Sequence, residues 1–158
     1  MVTRRIFKTL LKMHNATNSP EEKLKLTAAL TNFKQPKLID KSIDLIRSDD
    51  VRMQDVAYWI SYSFSNYLAR DKTWKWLQDN WDWLRTNMGE DISFYRMPFY
   101  VARCYSSLDF LKEFEAFFTK NMSSGFDRPL KQAIETIQWQ ADWKRRDLEA
   151  MRKFFRDN

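Results

Sequence analysis

Glycine is scarce in this chain, with two among 158 residues, and proline (four), cysteine (one) and histidine (one) are few as well. Each shortage excludes something. An all-β domain of this length needs many tight turns with Gly, Asn or Pro at set positions, and so few turn formers cannot supply them. With Cys104 alone no internal disulfide can form, and nothing points to an oxidising compartment. A zinc site draws three or four ligands from His, Cys and carboxylates, and His14 and Cys104 are the only nitrogen and sulfur ligands on offer. Gly89 and Gly125 lie too far apart for a glycine-rich phosphate loop. Long apolar runs are missing too. The longest uncharged stretch, Val56 to Ala69, contains Ser61, Ser63, Ser65 and Asn66 and is shorter than the ~20 apolar residues a membrane-spanning helix needs, so a buried helix is expected there. Residues Ile6 to Leu11 are interrupted by Lys8 and followed by no small-residue cleavage site, so no secretory signal is read.

What remains is rich in core material: 44% of residues are hydrophobic and 16% aromatic, against 30% charged, which is far from the profile of a disordered chain. A chain of this size buries roughly 70% of its unfolded surface, enough for a core without staples. The net charge of +6 is unevenly placed, at +5 in residues 1–40, −1 in 41–100 and +2 in 101–158. Outside the first helices and the cluster Lys144, Arg145 and Arg146, the signs alternate as on solvated helix faces, so nucleic acid is not the expected partner.

Apolar spacing and punctuation place nine helices. The first runs from about Arg4 to His14, with Phe7, Leu10, Leu11 and His14 on one side, and stops at the polar stretch Asn15 to Asn18. Ser19-Pro20-Glu21-Glu22 reads as a capping box opening a second helix, whose stripe is Leu26, Ala29, Leu30 and Phe33. After a turn at Lys34-Gln35, Pro36 opens a third with two apolar rows, Leu38/Ser42/Leu45 and Ile39/Ile43/Ile46. Ser48-Asp49-Asp50 ends it, and a fourth starts near Gln54 and covers Val56 to Ser65. The fifth is expected from Arg70 to Met88, with Trp74, Leu77, Trp81, Leu84 and Met88 on one row, Trp76 and Trp83 on another, and Gly89 as its C′ residue. A sixth, Ile92 to Tyr105, should kink or start late at Pro98. The seventh carries Phe110, Leu111, Phe114, Phe117 and Phe118. Ser123-Ser124-Gly125 breaks the chain, and Arg128-Pro129 opens an eighth with Leu130, Ala133, Ile134, Ile137 and Ala141. A separate last helix holds Leu148, Met151 and Phe155. Short loops and two-sided apolar faces predict an all-α fold of antiparallel helix pairs stacked as an α-α superhelix, of the HEAT or armadillo kind, over residues 1–158 as a single domain.

Candidate chemistry is thin. His14 sits on the apolar row of its helix, where a satisfied histidine at the core edge is expected, and Cys104 reads as a small buried hydrophobe. A nucleophile pair of the two would need the first and sixth helices to meet and an orienting group as well. The acidic pairs Glu21-Glu22 and Asp49-Asp50 fall at helix ends, where the helix dipole or solvation accounts for them. The tryptophans of the fifth helix could form a stacking platform, but their spacing matches core packing on two faces.

Several stretches carry a family resemblance. Ser19-Pro20-Glu21-Glu22-Lys23 followed by Leu30 to Ile39 is similar to the S-x-E-E-K and A-L-x-x-x-x-x-P-x-L-L segment of zinc aminopeptidases of the aminopeptidase N and puromycin-sensitive type. Val51-Arg52-Met53-Gln54-Asp55 resembles that family's V-R-x-Q-D, and Trp74 to Trp81 resembles its W-x-F-L-x-x-N-W. Leu111 to Phe118 continues in the same order. The resemblance covers about Ser19 to Phe155, and one departure is Asn66-Tyr67-Leu68-Ala69 where the family has Asn-Pro-x-Gly, which leaves the shape of that turn open.

The resemblance implies the C-terminal helical domain of a larger, cytoplasmic zinc aminopeptidase, closing the peptide chamber against an upstream catalytic domain. The zinc belongs to that upstream domain, since neither H-E-x-x-H nor G-[AG]-M-E-N occurs here, and the chain alone is expected to hold no cofactor and to catalyse nothing. Arg96 and Arg103, seven apart, are the candidate chamber-lining residues, able to meet a peptide carboxylate, with plain surface solvation as the competing reading. The first helix, as a cut end, could drive self-association. Two other readings stay open: a free-standing helical-repeat adaptor that binds protein or RNA through its basic first helices, and an independent enzyme using Cys104.

Overall fold

The computed structural model describes residues 2–121 and 125–157, and among them every regular element is helical. The chain divides into two compact units, Met1–Phe94 and Tyr95–Asn158. The first holds α1 (Val2–Ala16), α2 (Pro20–Thr31), α3 (Pro36–Leu45), a 3-10 turn at Met53–Asp55, α4 (Val56–Ser65), α5 (Arg70–Asp79) and α6 (Trp81–Met88). The division falls within α7 (Ile92–Tyr95), and the second unit holds α8 (Met97–Ala102), α9 (Leu108–Asn121) and α10 (Asp127–Asp157). The expected break at Ser123-Ser124-Gly125 falls largely on Ser123 and Ser124, which lie outside the described residues; Gly125 occupies a turn at φ 113°, a left-handed conformation that glycine adopts at no steric cost.

In the first unit α2 is central, packing on α1, α3 and α4, while α5 packs on both α3 and α4. Its start follows the expected punctuation with one change. The Glu22 N–H donates to Ser19 Oγ at 3.4 Å, but the Ser19 N–H goes to Thr17 Oγ1 at 3.2 Å, and the Thr17 hydroxyl donates in turn to the Glu22 carboxylate. The capping box is therefore closed through a threonine rather than directly. The buried face of α2 is Lys23, Leu26, Thr27, Leu30 and Thr31, whereas Ala29 is exposed and Phe33 lies beyond the helix end, edge-on to Phe7 at 5.3 Å. The expected stripe was rotated because Thr27 and Thr31 are buried at α-helical spacing, and Thr31 gives its hydroxyl proton to the Thr27 carbonyl at 2.9 Å. Both rows of α3 are covered: Leu38, Ile39, Ser42 and Ile43 are buried, and Ser42 donates to the Leu30 carbonyl at 2.5 Å.

The long tryptophan helix is interrupted once. Asn80, at φ −111° and ψ 15°, separates α5 from α6 and turns its side-chain amide back onto the Trp76 carbonyl at 2.8 Å. Asparagine competes with the helical ladder in this way, which is why one expected helix becomes two. The row survives the break: Trp74, Leu77, Trp81, Leu84 and Met88 are all buried. Gly89 stays right-handed at φ −58°, and a Cβ there would collide with the Arg85 carbonyl oxygen, so this glycine serves close approach rather than the expected left-handed C′ role.

In the second unit Pro98 sits in the first turn of α8, where its missing N–H costs nothing; the single helix expected from Ile92 to Tyr105, kinked or starting late, is instead two short ones, α7 and α8, separated at Arg96. Ser107 opens α9, accepting the Phe110 N–H on its Oγ at 3.5 Å. Phe114 and Phe118 are completely buried and Leu111 nearly so, against Ala133 and Ile137 of the core face of α10. The two expected final helices are one continuous helix of 31 residues. No proline or glycine follows Pro129, and charges pair along the helix, Arg145 with Asp142 at 2.9 Å and Arg152 with Glu149 at 2.6 Å. Burial ends at Ala141, and beyond it Trp143, Met151, Phe154 and Phe155 are exposed.

Candidate functional site

Three surface features and two isolated side chains bear on function. His14 is fully buried in the first unit, its ring edge-on to Trp59 at 5.6 Å. Nδ1 lies 3.1 Å from Asn15 Oδ1, while Nε2 has no partner, so only one ring nitrogen is satisfied. Burial, with some help from Lys23, holds its pKa below the usual value for histidine against the opposing Asn15 contact, Asp55 and Asp50. Cys104, half-buried, belongs to the second unit. A zinc ion does not fit these residues: the one histidine is enclosed by aromatic and amide groups, and among the described residues no three His, Cys, Asp or Glu side chains stand together to hold a metal.

On the first unit, Trp76 and Trp83 meet edge-on at 6.3 Å, and the Arg47 guanidinium lies 5.3 Å from the Trp83 ring. Arg47 also donates to Asn80 Oδ1 at 3.1 Å, tying the turn after α3 to the break between α5 and α6. Trp74 and Trp81 belong to the core, so the four tryptophans form no continuous stacking platform. Beside Trp76, α3 and α5 enclose a groove of about 550 Å³ lined by Asp40, Ile43, Asp44, Asp71, Lys72 and Asp79.

On the second unit, Arg96 and Arg103 bracket α8 as its N-cap and C-cap residues, both exposed, and the Arg103 guanidinium lies 5.9 Å from the Phe99 ring. Sequence placed them on one longer helix; they stand instead at the two ends of a short one, still on one side because seven residues make about two turns. Sequence reasoning missed their aromatic neighbours. A groove of about 590 Å³ runs between Phe99 of α8 and Gln132, Glu135, Thr136 and Trp139 of α10. The signal available was the seven-residue step from Gln132 to Trp139, which sets both on one helix face.

The quoted motifs prove to be structural. In Val51-Arg52-Met53-Gln54-Asp55, Val51 is buried and Arg52 Nε donates to Asp55 Oδ2 at 2.6 Å, clamping the 3-10 turn that leads into α4. The Arg52 pKa is raised by that bond to Asp55. In the departure at Asn66-Tyr67-Leu68-Ala69, the Asn66 amide donates to the Thr31 and Phe33 carbonyls at 2.9 and 2.8 Å, and its Oδ1 accepts the Leu68 N–H at 3.1 Å. Ala69 is right-handed at φ −97°, so the turn asks for no glycine.

The sequence profile of the ERAP1-like C-terminal domain matches residues 3–138. The chain belongs to that family. Its relatives include Aminopeptidase M1 of Arabidopsis thaliana, 28% identical over 137 residues, which are 87% of this chain and 15% of that protein. Aminopeptidase 2, mitochondrial, of Saccharomyces cerevisiae is 26% identical over 141 residues, 89% of this chain and 15% of that protein. Aminopeptidase N of Lactobacillus helveticus is 28% identical over 131 residues, 82% of this chain and 16% of that protein. The chain thus spans about 15% of the length of the relatives it matches, and what it shares with them is an ERAP1-like C-terminal domain segment of an aminopeptidase. Among the described residues no helix is long and apolar enough to cross a membrane.

Proposed function

We propose that this ERAP1-like segment is a non-catalytic part of a zinc metallo-aminopeptidase that removes N-terminal residues from peptides. It stacks helix pairs as one wall of the peptide chamber, closed against an upstream catalytic domain that holds the zinc. The observation that carries the reading is the match over residues 3–138 to a family named for a C-terminal domain, in a chain spanning about 15% of aminopeptidases. The residue inventory supports it, since a chain with one histidine has little to build a catalytic zinc site from. A helical wall contributes by excluding water and by limiting which peptides enter, while the partner does the chemistry. Arg96 and Arg103 face that chamber in this reading, with Phe99 and Trp139 giving a side chain of the peptide an apolar seat and Arg103 giving its carboxylate a donor. The single cysteine suits a reducing, cytoplasmic setting.

The test is an assay of the purified chain for bound zinc and for hydrolysis of aminoacyl anilides with and without added zinc, followed by the same assay after joining it to the catalytic polypeptide. No turnover alone, and altered selectivity between short and long peptides once joined, is the expected result. Zinc-dependent turnover by the chain alone would overturn the reading. The exposed cations of α1 favour one second reading, a helical-repeat adaptor that binds protein or RNA; strongly salt-dependent RNA binding by the chain would replace the first with it.

A further inference from the structure

Where α3 gives way to the 3-10 turn and α4, the first unit folds over a cavity of about 400 Å³. Ile46, Val51 and Val56, all buried, give it an apolar floor, and the Met53 thioether and the half-buried Trp83 indole also line it. Ligand sites run from roughly 300 to 1,000 Å³ and set a few placed polar groups against such apolar surface, so a molecule of amino-acid size fits here. Two of the lining residues, Arg47 and Asp49, carry opposite charges. Among the described residues no carboxylate pairs with Arg47, no cation pairs with Asp49, and the two do not pair with each other.

Both charges stand on fixed supports. Arg47 gives one N–H to Asn80 Oδ1 at 3.1 Å and lies 5.3 Å from the Trp83 ring centre, which leaves most of the guanidinium's five donors for a guest. Asp49 sits in a turn bonded on either side of it. The Ser48 hydroxyl donates to the Leu45 carbonyl at 2.8 Å and accepts the Asp50 N–H at 3.3 Å, and the Val51 N–H donates to the Ser48 carbonyl at 3.2 Å. The Asn15 amide holds the Asp50 carboxylate at 2.5 Å, and Arg52 is taken by Asp55 at 2.6 Å. A cation and an anion held at one cavity without neutralising each other, over an apolar floor, complement a zwitterion with an apolar tail. Each added peptide unit moves an ammonium and a carboxylate about 3.6 Å further apart, so charges only two residues apart match a single amino acid better than a peptide.

We propose that this cavity binds a free α-amino acid with an apolar side chain, its carboxylate on Arg47, its ammonium on Asp49 and its side chain against Met53 and Trp83. The site uses neither Arg96 nor Arg103 and no chamber, so its failure would leave the functional reading above standing.

Calorimetric titration of the whole chain with L-methionine, L-leucine and L-phenylalanine tests this. Saturable binding with a Kd below about 1 mM is expected for at least one of them, and L-aspartate and L-lysine should bind about tenfold more weakly or worse. N-acetyl-L-methionine and L-methioninamide each lack one charge, and the dipeptide Met-Met spreads the two apart; all three should lose about tenfold or more. Arg47→Gln should remove the preference for methionine over its amide, and Asp49→Asn the preference over its N-acetyl form. Asp49 is exposed and pairs with nothing among the described residues, so its variant changes charge without disturbing the fold, and circular dichroism checks both variants. In a nitrogen–proton correlation spectrum the indole signal that Trp83→Phe deletes should be the one that methionine shifts most. Absence of saturable binding by all three amino acids, equal binding of methionine and its blocked forms, or a shift that spares the Trp83 indole would overturn the proposal.

Discussion

Replacing Asn66 should be among the most damaging single changes in the first unit, although the residue is polar and sits in a connecting turn. Its side chain is buried and makes three hydrogen bonds: two donated to the Thr31 and Phe33 carbonyls at 2.9 and 2.8 Å, and one accepted from the Leu68 N–H at 3.1 Å. The two carbonyls are at the end of α2 and just past it, where the helical ladder leaves acceptors without partners. Asn66→Ala removes all three bonds and leaves those acceptors short of partners. At about 1 kcal/mol net per bond, with a further penalty for an acceptor left dry, the loss is about 3 kcal/mol. That is a large part of the 5–15 kcal/mol typical of a domain.

Asn66→Asp separates geometry from volume. The shape is kept, but two donated protons are replaced by a carboxylate oxygen facing two carbonyl oxygens, so at neutral pH this variant should be less stable than Asn66→Ala. Below the carboxylate pKa the acid can donate once, and the gap to the alanine variant should narrow as pH falls. Urea midpoints followed by circular dichroism, with the slope unchanged, measure both effects. Ser65→Ala is the control: Ser65 is exposed, its hydroxyl bonds back to the Ser61 carbonyl within its own helix, and the change should be worth less than about 0.5 kcal/mol. An Asn66→Ala loss no larger than the Ser65→Ala loss, or an aspartate milder than alanine at neutral pH, would refute the hook.

Two further outcomes follow from the same structure. His14 has a lowered pKa, chiefly through burial, so the unfolded chain takes up a proton more readily: its stabilising effect is complete above pH 6.5 and is lost as pH falls from there through the folded value. Because it is the only histidine, His14→Phe should flatten that part of the stability-versus-pH curve, and unchanged slopes would count against the assignment. In the second unit, Phe114→Ala should cost about 3–5 kcal/mol because Phe114 is completely buried, whereas Phe155→Ala, 73% exposed at the bare end of α10, should stay within about 0.5 kcal/mol; thermal melts of the two settle whether that helix end is covered in solution.

The helical class and most element starts were legible because they rest on local chemistry. Pro20, Pro36 and Pro98 each stand in the first turn of a helix, and the row from Trp74 to Met88 is buried in full, since 3-4 spacing keeps a row on one side even across the interruption at Asn80. What local pattern could not give depends on partners far along the chain. Asn80 breaks the tryptophan helix while bonded to Arg47, 33 residues away, and in α2 Thr27 and Thr31 are buried where Ala29 is exposed, with the Thr31 hydroxyl bonded back to the Thr27 carbonyl. The opposite case is α10, where two helices are expected and one is found: no proline or glycine follows Pro129 to end it, and charges at i and i+3 pair along it.

The candidate site divides along the same line. The sequence singled out Arg96 and Arg103 by their seven-residue spacing, which survives whatever the helix boundaries do, but not the groove beside them, because Phe99 and Trp139 are 40 residues apart and line one groove only when α8 packs on α10. The consensus residues behaved differently again. Val51, Arg52 and Asp55 close a turn, and Asn66 does with two amide donors what an Asn-Pro-x-Gly turn would otherwise do with a fixed ring and a flexible glycine. Tyr67 is free to point outward because the hook, not the residue after it, sets the chain direction, and Ala69 is tolerated because its backbone is right-handed. The Val51–Asp55 and Asn66 contacts therefore account for these residues through the fold itself, since each fixes the chain where one helix gives way to the next.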